Sequence, residues 1–432
     1  MPHPLVIEPM IRFVYAVLMW LLVPLLLLKL LWRSRSEPNY LQAVPERFGV
    51  YAMPAQAGAV WVHAVSLGET RAALALVRAL RAAQPQIRFV FTHGTATGRH
   101  EGLAMLQVGD AQVWQPWDTP QAVQRFFTHF KPRLGLLIDT EVWPNLLWQA
   151  KDLGIPVVLA NARLSNKSWR KALHWGWLSR PAFSSLQAVW AQTEEDANRL
   201  RSLGASVTAV TGNLKFDAQP DPGLLQIGQN WRAQAAKPIV VLAISRAGEE
   251  AALLDLLLIN PALMQAVQWW IVPRHPQRFD EVAALVLARG LALVRRSDWS
   301  DTPVCQEVVN PQAVVLGDTL GEMSFYFGAA SVALLGGSFA PVGGQNLIEA
   351  CACGCPVVMG PHTYNFAQAA NSASLEGAAW RVENLAQGMQ KAHDLALDRK
   401  GQARMAGAAR AFAQRHQGAV AECVDLMRDW LV

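Results

Sequence analysis

Residues 336–366 read GGSFAPVGGQNLIEACACGCPVVMGPHTYNF. The stretch holds two glycine pairs, Gly336-Gly337 and Gly343-Gly344, and a polar cluster of Gln345, Asn346 and Glu349 after the second. The apolar run before it, 331–335, has the character of a parallel strand, and 356–359 of a second buried strand. Strand, glycine loop, helix start and strand make a βαβ unit. Glycines at that point let a ligand approach the backbone, and the N–H groups opening the next helix suit an anion or phosphate. Asn346 and Glu349, three apart, share one helix face, where a carboxylate can accept from both hydroxyls of a ribose. Alternatively, Glu349 merely complements the helix dipole and the glycines only turn the chain. The whole string favours a nucleotide or sugar-nucleotide site.

Working outward, 432 residues exceed one ordinary core and imply two domains. An apolar fraction of 52% with 16% charged residues describes a well-buried protein with some membrane character. The net charge of +5 suits an acidic substrate or an anionic membrane surface. No dense Lys/Arg tract or nucleic-acid motif occurs, so no nucleic-acid partner is expected. The five cysteines, Cys305, Cys351, Cys353, Cys355 and Cys423, lack metal-site spacing and read as small buried residues in a reducing compartment. With no Walker loop, HExxH, GxSxG elbow or strand-end DxD pair, neither a metal nor a cofactor is expected.

Residues 13–28 are an unbroken apolar run that 30–32 extend, about 20 residues in all and enough to span a bilayer. Pro24 inside it is tolerable in a membrane helix. Lys29, Arg33 and Arg35 follow the run and only Arg12 precedes it, which puts the body of the protein in the cytoplasm. Residues 1–35 therefore read as an anchor helix, either single-pass or lying in the interface. From residue 59 strands alternate with helices: 59–62, 87–91, 134–138, 157–159 and 188–191, with helical segments such as 71–83 and 121–130 between. After a Pro/Gly/Asp-rich linker at 211–223 the alternation resumes, with strands at 238–244, 269–272, 313–316, 331–335 and 356–359. The expected fold is α/β, two Rossmann-like domains (36–215 and 216–432) facing a cleft, with the last helix packing back on either one.

Nearly every polar cluster follows a strand, at the sheet edge where open α/β folds place their crevice. HAVSLGET (63–70) puts Glu69 in a first helical turn, as a general base or as a dipole partner. DTEVWPN (139–145) brings Asp139, Glu141 and Trp143 together, although Thr140 as N-cap and Pro144 as helix start would also account for it. NARLS (161–165) carries Arg163, followed by Lys167, Arg170 and Lys171. GNLKFD (212–217) places Lys215 where it can steady a leaving phosphate, or merely be exposed. PRHPQRF (273–279) offers Arg274 and Arg278 as a forked pair for phosphate. GDTLGE (317–322) has glycines able to admit a base.

These strings, with GGSFAPVGGQN, Glu349 and GPHTYNF, occur in one order from Glu46-Arg47-Phe48-Gly49 to Phe366. In them the chain closely resembles the 3-deoxy-D-manno-octulosonic acid (Kdo) transferases of lipid A assembly, inverting glycosyltransferases of GT-B architecture. The resemblance implies transfer of Kdo from CMP-Kdo to the lipid A precursor lipid IVA, releasing CMP, at the cytoplasmic face of the inner membrane. It implies Glu69 as catalytic base, with Glu141 and Lys215 steadying the transition state. It places CMP on Pro273 and Arg274, on Leu320, Gly321 and Glu322, and on Asn346, Leu347, Ile348 and Glu349. The chain departs from the family pattern at Arg246-Ala247, where a His followed by Glu or Gly is usual, at Asp139, often Glu, and at Asn346-Leu347, in some members Asn-Pro. The rival readings are another membrane-associated GT-B glycosyltransferase or sugar-nucleotide enzyme using a UDP-sugar, and a non-catalytic nucleotide-binding scaffold. Arg47, Arg71, Arg163, Lys167, Arg170 and Lys171 make an expected basic patch for lipid A phosphates.

Overall fold

Short apolar runs closed by polar turns become parallel strands in the computed structural model, which describes residues 4–35, 37–217, 219–299 and 310–431. Cys305 lies outside the described residues. The first sheet is built from β1 (Val60–His63), β2 (Phe89–His93), β3 (Ala111–Trp114), β4 (Leu134–Ile138), β5 (Val157–Ala162), β6 (Ala188–Ala191) and β7 (Val207–Val210), in the order β3-β2-β1-β4-β5-β6-β7. The second holds β8 (Ile239–Ser245), β9 (Gln268–Pro273), β10 (Leu293–Arg295), β11 (Val314–Leu316), β12 (Val332–Leu335), β13 (Val357–Met359) and β14 (Ala379–Arg381), in the order β10-β11-β9-β8-β12-β13-β14. Neighbouring strands pair in parallel throughout both sheets. Parallel sheets are covered by helices on both faces, which is why β1, β4 and β5 are buried at every position and read as apolar runs, interrupted only by His63 and Asn161 near the C-terminal ends of β1 and β5.

β3, β7, β10 and β14 have no counterpart in the sequence reading, and all are edge strands. An edge strand has a neighbour on one side only and needs less apolar sequence. β10 is only half-buried at each position, and no residue of β7 is fully buried.

The chain forms two compact units, 1–217 with 417–432, and 218–416. The last helix, Ala419–Leu431, belongs to the first unit. Its every-fourth-residue stripe, Ala419, Cys423, Met427 and Leu431, is buried in one cluster with Leu76, Leu80 and Trp190. Asp217 fastens its start: Oδ1 accepts from Gly418 N at 2.6 Å and Oδ2 from Val420 N. The stretch expected to be a linker is therefore ordered in its first part, where Leu214–Asp217 forms a 3₁₀ turn with Leu214 and Phe216 buried. The N-terminal helix, Pro4–Ser34, carries Pro9 and Pro24. Among the described residues it is the one helix long and apolar enough to cross a membrane.

Candidate active site

The C-terminal ends of β1 and β4 and the Leu214–Asp217 turn meet at one edge of the first sheet. Ser66 caps the helix Leu67–Ala83, and with Glu69 it closes a capping box. The Glu69 carboxylate is thereby held in place: Oε2 accepts from Val65 N at 2.7 Å and Oε1 from Ser66 Oγ at 2.8 Å. Burial, outweighing these bonds, raises the Glu69 pKa, and the charge of Asp139 adds to it. Glu141 is half-buried, and its Oε2 accepts from Trp143 Nε1 at 2.9 Å. Burial first, then the negative charge of Glu69, pushes its carboxyl up to about 7. A Cβ on exposed Gly68 would lie 3.9 Å from Lys215 Nζ, so the ammonium stands over the residue next to Glu69. Glu69, Glu141 and Lys215 are thus drawn together from three separate strings.

Asn161 organises this edge. Its backbone is left-handed at φ 54, as is Asp139 at φ 67. Its Nδ2 donates to Asp139 Oδ1, and its Oδ1 accepts from Leu214 N at 2.9 Å. One buried amide therefore ties the segment leading to Glu141 to the turn carrying Lys215. Thr140 is exposed and is not the N-cap of the helix Pro144–Asp152. Asp118, from a distant loop, takes that role and accepts from Asn145 N at 3.1 Å and Leu146 N at 2.9 Å. Neither Asn161 nor Asp118 stood out by role in the sequence. The only local signal was a polar Asn inside the apolar run of β5.

His63 is buried against Thr92 and stays neutral, burial pushing its pKa down to about 3. Arg47 is buried 4.1 Å over the Trp114 ring, and its pKa is lowered to about 10 by burial, so it leaves the expected basic patch. Arg71 pairs with Glu101 at 2.8 Å, whereas Arg163, Lys167, Arg170 and Lys171 are exposed.

In the second unit, Pro273 ends β9, and Arg274 N donates to Ser245 O at 3.1 Å. Arg246, at the end of β8, donates from Nη1 to His275 Nε2 at 2.7 Å. A guanidinium only donates, so that ring nitrogen is the acceptor and the imidazole is neutral there. Burial first, then the Arg246 charge, lowers the His275 pKa. Arg278 is not free to form the expected fork, because it is bound at 2.6 Å to Glu250, whose side chain is fully buried, and also to Glu281.

Leu320 is exposed, and Gly321 has φ 81 with open space where a Cβ would go. Gly317 is different: a Cβ there would meet Tyr326 and Val272 at 2.7 Å, so this glycine answers to packing. Glu322 bonds Arg296 at 2.7 Å and Thr319. Asn346 Oδ1 accepts from Ile348 N at 3.0 Å and opens the short helix Ile348–Ala352. Leu347 and Ile348 are buried, with Ile348 N held by Asn346 and Leu347 O accepting from Cys351 N at 3.0 Å, while Asn346 and Glu349 are half-buried.

The glycine loop already holds an anion of its own. Glu249, 3% exposed, accepts from Gly337 N at 2.7 Å, from Phe339 N and Ala340 N at 3.1 Å, and from Arg246 N at 2.9 Å. Those loop N–H groups are occupied by a carboxylate of the chain. Cys351, Cys353, Cys355 and Cys423 are free and buried, and burial pushes the thiols of Cys351, Cys355 and Cys423 up to about 12. They are inert packing residues. Among the described residues no three His, Cys, Asp or Glu side chains form a metal-binding group.

The family model described as 3-deoxy-D-manno-octulosonic-acid transferase (kdotransferase) matches residues 42–218. The 3-deoxy-D-manno-octulosonic acid transferase of Bordetella pertussis is 43% identical, covering 97% of this chain and 99% of its own. The chain belongs to the Kdo transferase family. A second Kdo transferase, from Haemophilus influenzae, is 31% identical over 97% of this chain and 99% of its own. In fold, this Kdo transferase is similar to the UDP-GlcNAc 2-epimerase of Neisseria meningitidis (TM-score 0.55, 17% identity, 86% of this chain and 99% of that one). It is also similar to MurG of Acinetobacter baumannii (TM-score 0.51, 16% identity, 87% and 100%). These two likenesses concern fold alone and give the Kdo transferase the α/β GT-B glycosyltransferase architecture. The UDP-sugar alternative has only that fold likeness behind it, whereas Kdo transfer has the sequence relatives.

Proposed function

We propose that this glycosyltransferase moves Kdo from CMP-Kdo to the lipid A precursor lipid IVA, releasing CMP and inverting the anomeric centre, at the cytoplasmic face of the inner membrane to which its N-terminal helix holds it. Glu69 takes the proton of the acceptor hydroxyl. The freed oxygen bonds to the anomeric carbon as the bond to the phosphate of CMP breaks, from the opposite side. Glu141, its carboxyl pushed up to about 7 by burial and by the charge of Glu69, keeps a proton much of the time. Lys215 supplies positive charge beside them.

Pro273-Arg274, Leu320-Gly321-Glu322 and Asn346 to Glu349 hold CMP. With the loop amides bonded to Glu249, the phosphate falls to cationic side chains, and Arg246 takes the part played by the family's usual His. Exposed Arg163, Lys167, Arg170 and Lys171 receive the acceptor's phosphates.

The observation that carries the reading is the Glu69 carboxylate, fixed by its capping box and raised by burial, next to Glu141 and Lys215. Glu69→Gln is expected to lower Kdo transfer by about a hundredfold to ten-thousandfold while CMP still binds. Near-normal turnover of this variant would remove Glu69 from the mechanism. Because the base must be ionised and its pKa is raised, the acid limb of kcat/KM is expected above the ordinary carboxylate range. Mass analysis of the product from CMP-Kdo and lipid IVA identifies the acceptor and the number of sugars added.

A further inference from the structure

The most apolar 18-residue window of Pro9–Ser34 has a mean hydropathy of 2.4, ample for a bilayer span. A spanning helix leaves its folded domain within a turn or two. This one stays. Its buried and half-buried positions include Ile11, Tyr15, Met19, Val23, Leu27 and Leu30, each three or four residues from the next. They form one stripe facing the N-terminal unit. At 1.5 Å per residue the docked side is about 29 Å long.

Polar contacts fasten it along the way. Arg12 Nη1 donates to Asp152 Oδ2 at 2.6 Å, Tyr15 Oη to Asp118 Oδ2 at 2.8 Å, and Trp20 Nε1 to Gln121 Oε1 at 3.0 Å. Leu30 closes the far end, in a buried cluster with Tyr40, Ala96 and Trp114. Residues deep in hydrocarbon could not keep an ion pair and hydrogen bonds to a water-soluble domain.

The opposite side is bare apolar surface: Phe13 is 69% exposed, Leu21 69%, Leu25 60%, Leu28 63% and Trp32 69%. These positions repeat at helical spacing too, so the helix is two-faced despite its high overall hydropathy. Next to it packs the helix Gly176–Phe183; Trp175, just before that helix, and Trp177 within it are exposed. The preceding helix, Asn166–His174, has no buried residue and displays Lys167, Arg170 and Lys171. Tryptophans and cations bordering an apolar face match the headgroup level of an anionic bilayer. A protein-docking face would be poor in lysine.

From this we infer that the N-terminal helix lies in the plane of the membrane surface, clamped on one side to the N-terminal unit and sunk on the other among lipid chains, and that it does not cross the bilayer. The inference rests on the membrane attachment proposed above and specifies its geometry.

The test uses the full chain in vesicles of phosphatidylethanolamine and phosphatidylglycerol. Nitroxide labels are placed one at a time through Phe13→Cys, Leu21→Cys and Leu28→Cys, with the unsubstituted chain giving the background labelling. All three sites are exposed, so the packed side is untouched. Power-saturation depths for the three labels are expected to agree, at about 5–10 Å below the headgroups. Depths that differ by about 10 Å or more, with Leu21 deepest, overturn the inference. Three labels left in water overturn it as well, and membrane attachment with it. Equal depths stand whether or not the vesicle-bound chain transfers Kdo, so failure of the functional reading is told apart. A second measurement needs no cysteine: with the folded units outside sealed vesicles, an N-terminal tag should remain open to added protease. A tag protected inside overturns the in-plane placement.

Discussion

Asn161 shows how much one buried amide can hold. It joins the Asp139 turn, which leads to Glu141, to the backbone before Lys215. Asn161→Ala leaves both partners without their bond and is expected to destabilise the first unit by about 1–3 kcal/mol, read from urea unfolding. It should also cut the rate of transfer by up to about a hundredfold with little change in CMP affinity, because Asn161 is fully buried and acts through the groups it positions. Glu141 carries a pH signature. Its carboxyl titrates near the ordinary value in the unfolded chain and at about 7 in the folded one, so between those limits the folded state holds the proton more tightly. Stability from this group is therefore intact at low pH and is lost as pH rises through that window. Glu141→Gln should raise the melting temperature at pH 8 by about 2–4 °C, and the gain should fade below pH 4. Equal melting of the two proteins at both pH values would contradict the burial of this carboxyl. Glu69 and Glu141 stood out because each follows an apolar run, and Lys215 because it sits in the polar linker string, while the catalytic roles proposed for them came from the family resemblance. Asn161, Asp118 and Glu249 did not stand out, since the groups that give them meaning lie far along the chain.

Secondary elements tell a similar story in their edges and joints. The interior strands announced themselves as continuous apolar runs, because a parallel strand covered on both faces has no solvent side to mark. The edge strands β3, β7, β10 and β14 did not, being short and partly exposed. Residues 403–431 read as one helical segment, which the structure divides into Arg399–His416 and Ala419–Leu431, and the four-residue stripe of the last helix fits any apolar surface. Its place on the first unit is set by the complementary surface around Trp190 and by Asp217. Asp217→Ala removes the acceptor of two backbone N–H groups at the start of that helix, at a cost of about 1–2 kcal/mol. Hydrogen exchange should then quicken in Ala419–Leu431 and its underlying strands, while amides of β8 to β14 keep their protection. Uniform loss of protection in both units would show that the joint does more than anchor this helix.

Each of the two units has its own sheet, and the proposed roles divide between them. CMP is expected to protect residues 218–416 against heat and exchange, and UDP to do so weakly or not at all, as thermal melts with each nucleotide would show. Equal protection by both would return the UDP-sugar reading to the field. The alternation of strands and helices, the family membership and the strings that follow strand ends are all local in the chain, so they could be read there, as hydrophobic period and turn chemistry are local properties. Contacts between distant residues are not. Folding alone determined that the glycine loop wraps the carboxylate of Glu249, that Arg278 is committed to Glu250, and that an apolar helix able to span a bilayer is clamped by Arg12 and Tyr15 along a folded surface. A hydropathy run counts apolar residues. Which of them face protein and which face outward depends on partners more than a hundred residues away, and those become neighbours only when the sheet has formed.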